Sequence, residues 1–557
     1  MKNKVLNDNH SPSKNFFQSD LILRNYLKNA FSTEAKKYFY PKLDSLGKEA
    51  ATVMTDLSLQ ADKNSPELVK RDKWGETIND IRFHPAYWEL MKIAVESEMF
   101  SVKWHPDMRK KFAGETQRLS FSAGFIYAMS EMGVYCPLCM TDGVARLLDL
   151  YCDEADKKRL MPHIYTDKAK DFFTGAMFLT EKSGGSDVGA NLVTAKNIKG
   201  NSYHLNGEKW FCSNANADLI FALARTDANI PRNKGLSIFL VEKHLPDETK
   251  NPIDFFRLKE KMGVKSNACA EGMLTDTVGT LVGKEFEGFA IMTEMLTLSR
   301  IYTAVGALSG SRRAIIEAYQ FLCSRNAFGK VAIEHALIRT KLTELSALYL
   351  ANFYLLWRTI TALDKADAGN EREKEILRIL TPMIKKRLSE NSVYIARESM
   401  ELMGGIGYIE DTVVPKTFRD LMVNPIWEGT GNIMILDMLR ASKKSKGLIF
   451  ICEEIAKIAT AKKDSWLILE LEKFQSFSKK LFAMQQDEME ASAKPFYEKL
   501  TELYQLALLL ANFNEGNKKW TRSAFDYLKN AYNNSNELSA RQPLSVNDVK
   551  DMVGWEM

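Results

Sequence analysis

Ser202-Tyr203-His204-Leu205-Asn206-Gly207-Glu208-Lys209-Trp210-Phe211-Cys212-Ser213 is the stretch on which the fold turns. Apolar and aromatic residues alternate there with polar ones, the two-residue period of a half-buried strand. Asn206-Gly207 lies in the middle, and Asn-Gly between two short alternating runs predicts a hairpin turn. The same period runs through residues 172–178, 219–225 and 235–242. Residues 172–282 therefore read as an antiparallel β-domain.

Working outward, both flanks change to helical spacing. Residues 1–171 carry amphipathic runs with few strand signals. Within them, Arg82-Phe83-His84-Pro85-Ala86 leads into an apolar helical run, with Pro85 suited to a first turn. His84 reads as a hydrogen-bonded structural residue, since no second His lies at metal-ligand spacing. Residues 283–440 return to the helical period, clearest at Ile338, Leu342, Leu345 and Leu348. Residues 441–557 form a helical extension with apolar rows at Leu467, Leu469 and Leu471 and over 503–510, and with loops at 512–519 and 530–536. The fold class is α+β, mainly α, in four parts: 1–171 helical, 172–282 β, 283–440 helical and 441–557 helical.

The bulk numbers narrow the function. A length of 557 residues calls for several domain-sized units. A net charge of +5 is small for that size and gives no strong pull towards nucleic acid or membrane. The seven cysteines are scattered and fit a reducing compartment. Cys136-Pro137-Leu138-Cys139 has no second pair to complete a zinc site and reads as two small apolar residues at a helix start. The polar N-terminal stretch has no signal-peptide core, and no apolar run is long enough to span a membrane, so the expected location is the cytosol.

The chemistry concentrates at Asn424-Pro425-Ile426-Trp427-Glu428-Gly429-Thr430-Gly431-Asn432. Apolar walls disfavour an ionised carboxyl, so the pKa of Glu428 is expected to move up towards the range of a general base. Glycines on its C-terminal side let backbone N–H groups come close to whatever it attacks. Three other motifs read alone as ordinary loops. Thr180-Glu181-Lys182-Ser183-Gly184-Gly185-Ser186-Asp187 offers hydroxyls and N–H groups to a phosphate or polar cofactor edge. Arg325-Asn326-Ala327-Phe328-Gly329-Lys330 pairs a cation with an aromatic at a helix break. Met403-Gly404-Gly405-Ile406-Gly407-Tyr408 lets backbone approach another body. Neither a Walker A loop nor a GxGxxG fingerprint is found.

In this order the motifs resemble the acyl-CoA dehydrogenase family of flavoproteins, over nearly the whole chain. The loop at 180–187 resembles the family's flavin loop, which implies flavin contacts from Met177, Phe178, Leu179, Thr180, Gly185 and Ser186. Trp210-Phe211-Cys212-Ser213 resembles the flavin strand. Arg325 with Phe328 resembles the pyrophosphate-side motif, and Gly404-Gly405 the glycine cluster lent by a neighbouring subunit. Arg300 resembles the Arg that begins the long-helix domain and is taken to contact substrate. Ile426-Trp427-Glu428-Gly429-Thr430-Gly431-Asn432 falls on the catalytic-base motif. Within the family, the AidB-like branch is the most similar, through residues 82–86, Met140-Thr141 after Cys136-Pro137, Lys182, Trp427 and the C-terminal extension.

The resemblance implies non-covalent FAD, a homotetramer and oxidation of an acyl-CoA to its 2,3-enoyl form. Glu428 takes the α-proton, and the developing enolate is held by hydrogen bonds, one from the backbone N–H of Glu428. An electron-transfer flavoprotein and oxygen both stand as electron acceptors. Cys212, His335 and Glu401 depart from the residues usual at those places, which puts flavin contacts there in question. Ser299 stands where some members keep the base, so Glu428 has no rival from that position. The alternative is an AidB-like DNA-associated flavoprotein with incidental redox activity. Fifteen Lys+Arg against sixteen Asp+Glu from residue 446 onward give no basic face for phosphates, so DNA is not favoured.

Overall fold

The computed structural model describes residues 13–514, 516–533 and 542–557. They form two compact units. One comprises Met1–Thr52, Ala113–Ser130 and Thr303–Met557; the other comprises Val53–Phe112 and Glu131–Tyr302.

The second unit is built on a seven-stranded sheet inserted among helices. A separate hairpin precedes it, β1 (Glu67–Arg71) with β2 (Thr77–Arg82). The sheet comprises β3 (Gly175–Phe178), β4 (Thr194–Lys199), β5 (Ser202–Ser213), β6 (Leu219–Arg225), β7 (Leu236–Glu242), β8 (Ile253–Leu258) and β9 (Cys269–Val282). Pairing runs β4–β5–β9–β7–β6, and β6 returns to β4 through the single pair Thr194–Arg225, so the sheet curls closed. β3 adds to β6 in parallel, a departure from an all-antiparallel domain. Phe178, Leu205, Phe239, Val241 and Ala270 meet in the core it encloses.

Asn206-Gly207 makes no hairpin turn. β5 runs unbroken through it, with a register shift against β9 between Leu205 and Gly207. The side chain of Asn206 exchanges hydrogen bonds with Asp276 (3.0 and 2.9 Å). Gly207 is required by a close approach instead, since a Cβ there would lie 2.8 Å from Val193 Cγ2. An Asn-Gly pair thus serves as a bulge, and the β4–β5 turn falls earlier, at Gly200-Asn201. The β1–β2 hairpin was not foreseen in a region read as helical. Its residues are half-exposed with little alternation, and it is held by Lys70 on Asp254 and by Asn79 Nδ2 on the Ile253 carbonyl (2.7 Å).

Other local readings hold. Pro85 opens the helix Pro85–Glu96, and His84 caps it by accepting from Ala86 N–H (3.2 Å). Cys136 and Cys139 are buried in the first turns of Tyr135–Tyr151.

The first unit is helical, with long helices Ala336–Asp367 and Glu371–Met403 and most of Gly288–Ser324. Helices Gly447–Lys462, Ser465–Leu481, Gln486–Ala511, Lys518–Asn533 and Val546–Val553 form the extension. Leu467 and Leu471 are buried but Leu469 is 50% exposed, because two-residue spacing turns a helical side chain to the far side. The loop expected at 530–536 is helical through Asn533, and its remainder lies outside the described residues, as do residues 1–12 of the polar N-terminal stretch. Arg312, wholly buried, clasps this unit together. It donates to both carboxylate oxygens of Asp20 (2.9 Å each) and to the carbonyls of Val553 (2.6 Å) and Gly554 (2.9 Å). Removing one partner of such a buried pair costs about 3–5 kcal/mol. Among the described residues, no helix is long and apolar enough to cross a membrane.

Candidate active site

The candidate residues fall into two groups, one in each unit. In the second unit, the loop after β3 is tied to β5 where Trp210 N–H donates to the Thr180 carbonyl (2.9 Å). Beneath it lies a buried ion pair, Lys209 Nζ to Glu181 Oε1 at 2.7 Å. Lys209 also donates to the Leu223 carbonyl (2.7 Å), and Glu181 Oε2 accepts from Leu192 N–H (2.5 Å) and Val193 N–H (3.2 Å). Burial pulls the Lys209 ammonium below its usual range, opposed by Glu181. A charge pair this dry is stable only because its remaining bonds are made. It anchors the start of the loop while Ser183, Gly185 and Ser186 stay exposed.

A Cβ on Gly185 would meet nothing closer than Thr180 Cγ2 at 3.8 Å, so this backbone is open to a ligand. Met177, Leu179 and Thr180 are half-buried, and Phe178 points into the core. Trp210 is bracketed by cations, Lys259 Nζ 3.7 Å and Lys182 Nζ 4.8 Å from its ring centroid. Lys259 is fixed by Glu271 (2.6 Å), whose carboxyl is held down to about 2 by hydrogen bonds from Arg257 and then Lys259. Phe211 is 54% exposed. The Cys212 side chain lies in the core, where burial pushes the thiol up, so any ligand contact from this residue goes through its main chain. Ser213 remains half-buried, its Oγ 3.6 Å from Cys269 Sγ. Arg300, half-buried, lies on the helix Gly288–Ser324.

In the first unit, Arg325 leads into a two-residue hairpin, with Asn326 paired to Val331 and Ala327 to Lys330. Phe328 (φ +50°) and Gly329 (φ +81°) form its tip, the left-handed pair of a type I′ turn. The Phe328 ring is 96% exposed. His335 is fixed to this hairpin, Nε2 lying 3.0 Å from the Ala327 carbonyl. Glu401 pairs with Arg397 (2.8 Å) at the end of Glu371–Met403, where Gly404 follows at φ +64°. Cβ atoms on Gly404 and Gly405 would meet nothing within 4 Å.

The Glu428 turn is built differently. Ile426 and Trp427 N–H groups both donate to the Val423 carbonyl (2.9 and 3.0 Å), closing a turn. Glu428 then takes φ +57° and Gly429 φ +101°, before Thr430 caps the helix Gly431–Lys444. A left-handed Glu costs about 1–2 kcal/mol. Such strain persists only where the surroundings fix it. Here Met434 Cε fills the place where a Cβ of Gly429 would be, 2.6 Å away, and Lys385 Nζ donates to the Gly429 carbonyl at 2.5 Å. Glu428 is half-buried, Ile426 is 62% exposed, and Thr430 and Asn432 face outward. Trp427 Nε1 and both amide atoms of Asn424 are buried with no hydrogen-bond partner among the described residues.

Sequence reasoning found both groups but missed Lys209 and Lys385, because charged residues are expected at the surface. One signal was available for Lys385: it lies four residues after Thr381 and three before Leu388, on a buried helical face.

Three family models match the chain: "Acyl-CoA dehydrogenase, C-terminal domain" over 287–443, "Acyl-CoA dehydrogenase, middle domain" over 176–277, and "Adaptive response protein AidB N-terminal domain" over 8–169. "Putative acyl-CoA dehydrogenase AidB" of Escherichia coli (strain K12) is 34% identical over 428 residues, 74% of this chain and 76% of that protein. Acyl-CoA dehydrogenase family member 11 of Caenorhabditis elegans is 29% identical over 450 residues, 79% of this chain and 72% of that protein. The crystal structure of Caenorhabditis elegans ACDH-11 in complex with C11-CoA matches at a TM-score of 0.85 and 26% identity, covering 97% of this chain and 94% of that one. The chain belongs to the acyl-CoA dehydrogenase family and carries an AidB-type N-terminal domain.

Proposed function

We propose that this protein is an FAD-dependent acyl-CoA dehydrogenase in which Glu428 removes the proton α to the thioester carbonyl. The observation that carries this is the carboxylate held on a strained left-handed backbone, half-buried, at the mouth of a helix. A base for an unactivated C–H bond must be kept aimed, since reach and angle set proton-transfer rates before acidity does. The half-buried site limits water, and the backbone N–H of Glu428 serves the developing enolate oxygen as a donor. Arg300 is assigned to the substrate side. The ACDH-11 neighbour, bound to an eleven-carbon acyl-CoA, supports this substrate class.

The residues present suit FAD. The open backbone at Gly185, the Thr180 and Ser186 hydroxyls, Trp210 with Phe211, and the main chain of Cys212 and Ser213 offer hydrogen bonds and an aromatic face. Bound FAD supplies the acceptor for the β-hydride. Arg325, the exposed Phe328 and the open Gly404-Gly405 would complete the flavin site of a second copy, consistent with a homotetramer. Ile426, Trp427, Gly429, Thr430, Gly431 and Asn432 shape the surroundings of the base. The near-neutral C-terminal extension supports small-molecule chemistry over a duplex partner. An electron-transfer flavoprotein or oxygen would take the electrons, and the cytosol is the proposed location.

The test is anaerobic reduction of bound flavin by an eleven-carbon acyl-CoA. The parental protein bleaches, whereas Glu428→Gln stays yellow with its flavin retained. Bleaching of Glu428→Gln at the parental rate would refute the base assignment.

A further inference from the structure

The helix Glu371–Met403 carries two adjacent buried lysines, Lys385 and Lys386. Lys386 is neutralised by Glu390 (2.8 Å) and Glu498 (3.2 Å), an arrangement of charges that would serve stability in any helical protein. Lys385 is the more deeply buried, at 0% exposure, and it sends a hydrogen bond to a main-chain carbonyl, that of Gly429. The carbonyl it holds follows Glu428 directly. It also lies outside the helix ladder, whose first bond runs from Met434 N–H to the Thr430 carbonyl.

We propose that Lys385 is the positioning residue for Glu428, its buried ammonium locking the peptide after the base so that the carboxylate keeps one direction. With the Gly429 carbonyl held at one end and Val423 accepting from Trp427 at the other, the left-handed Glu428 is fixed from both sides. Without the lysine the Gly429 peptide can rotate, and Glu428 relaxes towards ordinary backbone angles that turn its side chain elsewhere. Lys385 acts in this scheme through the Gly429 peptide. The inference rests on Glu428 being the base.

Lys385→Met and Lys385→Arg, with Glu428→Gln beside them, are compared in steady state with the eleven-carbon acyl-CoA. Lys385→Met is expected to bind flavin and to keep KM within about twofold, while kcat falls about 10- to 100-fold, the penalty for misaiming a reacting group by about an ångström. Lys385→Arg, which restores a buried donor, recovers part of that loss. Parental kcat in Lys385→Met, or kcat and KM damaged together with no recovery by Arg, overturns the proposal. So does failure of both variants to fold, which would make the lysine a determinant of the fold. Full activity of Glu428→Gln would instead overturn the base assignment, whatever Lys385 does.

Discussion

Phe328-Gly329 and Glu428-Gly429 have nearly the same backbone: a bulky residue near φ +50° followed by a glycine above +80°. At the first, hairpin geometry demands the conformation, and a two-residue turn between paired strands would impose it on almost any sequence. At the second, no strand pairing exists. The conformation is imposed from outside by a buried lysine and a methionine. Local rules therefore explain the first corner, and only tertiary structure explains the second. At Glu428 that strain falls on the residue proposed as the base.

The contrast can be broken by adding single methyl groups. Gly429→Ala should be the most damaging, at about 2 kcal/mol, because the Met434 methyl must shift on top of the backbone penalty. Gly329→Ala should cost only about 1 kcal/mol, since its Cβ would meet nothing within 4 Å and the backbone term stands alone. Equal losses in denaturant unfolding would dissolve the distinction. The smallest effect sharpens it. Phe328→Asn should stabilise by about 0.5 kcal/mol, because Asn suits the left-handed turn. It should also weaken association between copies, read by gel filtration, if the exposed ring is kept for a neighbour.

What could be read in advance followed the same division. The His84-Pro85 helix start and the strand at Trp210 were legible because a few neighbouring residues determine each. Asn206-Gly207 misled for the complementary reason. Its dipeptide favours a hairpin turn, but pairing with β9 and the closeness of Val193 decide the outcome. The β1–β2 hairpin escaped notice because it buries too little to stamp a period on its sequence. At the candidate site, the Glu428 turn stood out through its motif. Lys385 and the Lys209–Glu181 pair were not, because a buried charge is defined by partners 44 and 28 residues away.

The Arg312 clasp bears on the order of events during synthesis. Its guanidinium bonds to Asp20, 292 residues earlier, and to Gly554, 242 residues later. A ribosome that has released Arg312 has not yet made the carbonyls that complete its shell. Until residues 553 and 554 emerge, this cation and its carboxylate lack part of the buried cage that favours them. Folding of that unit is therefore expected to finish only once residues 553 and 554 have been made, with its most distant contacts forming last.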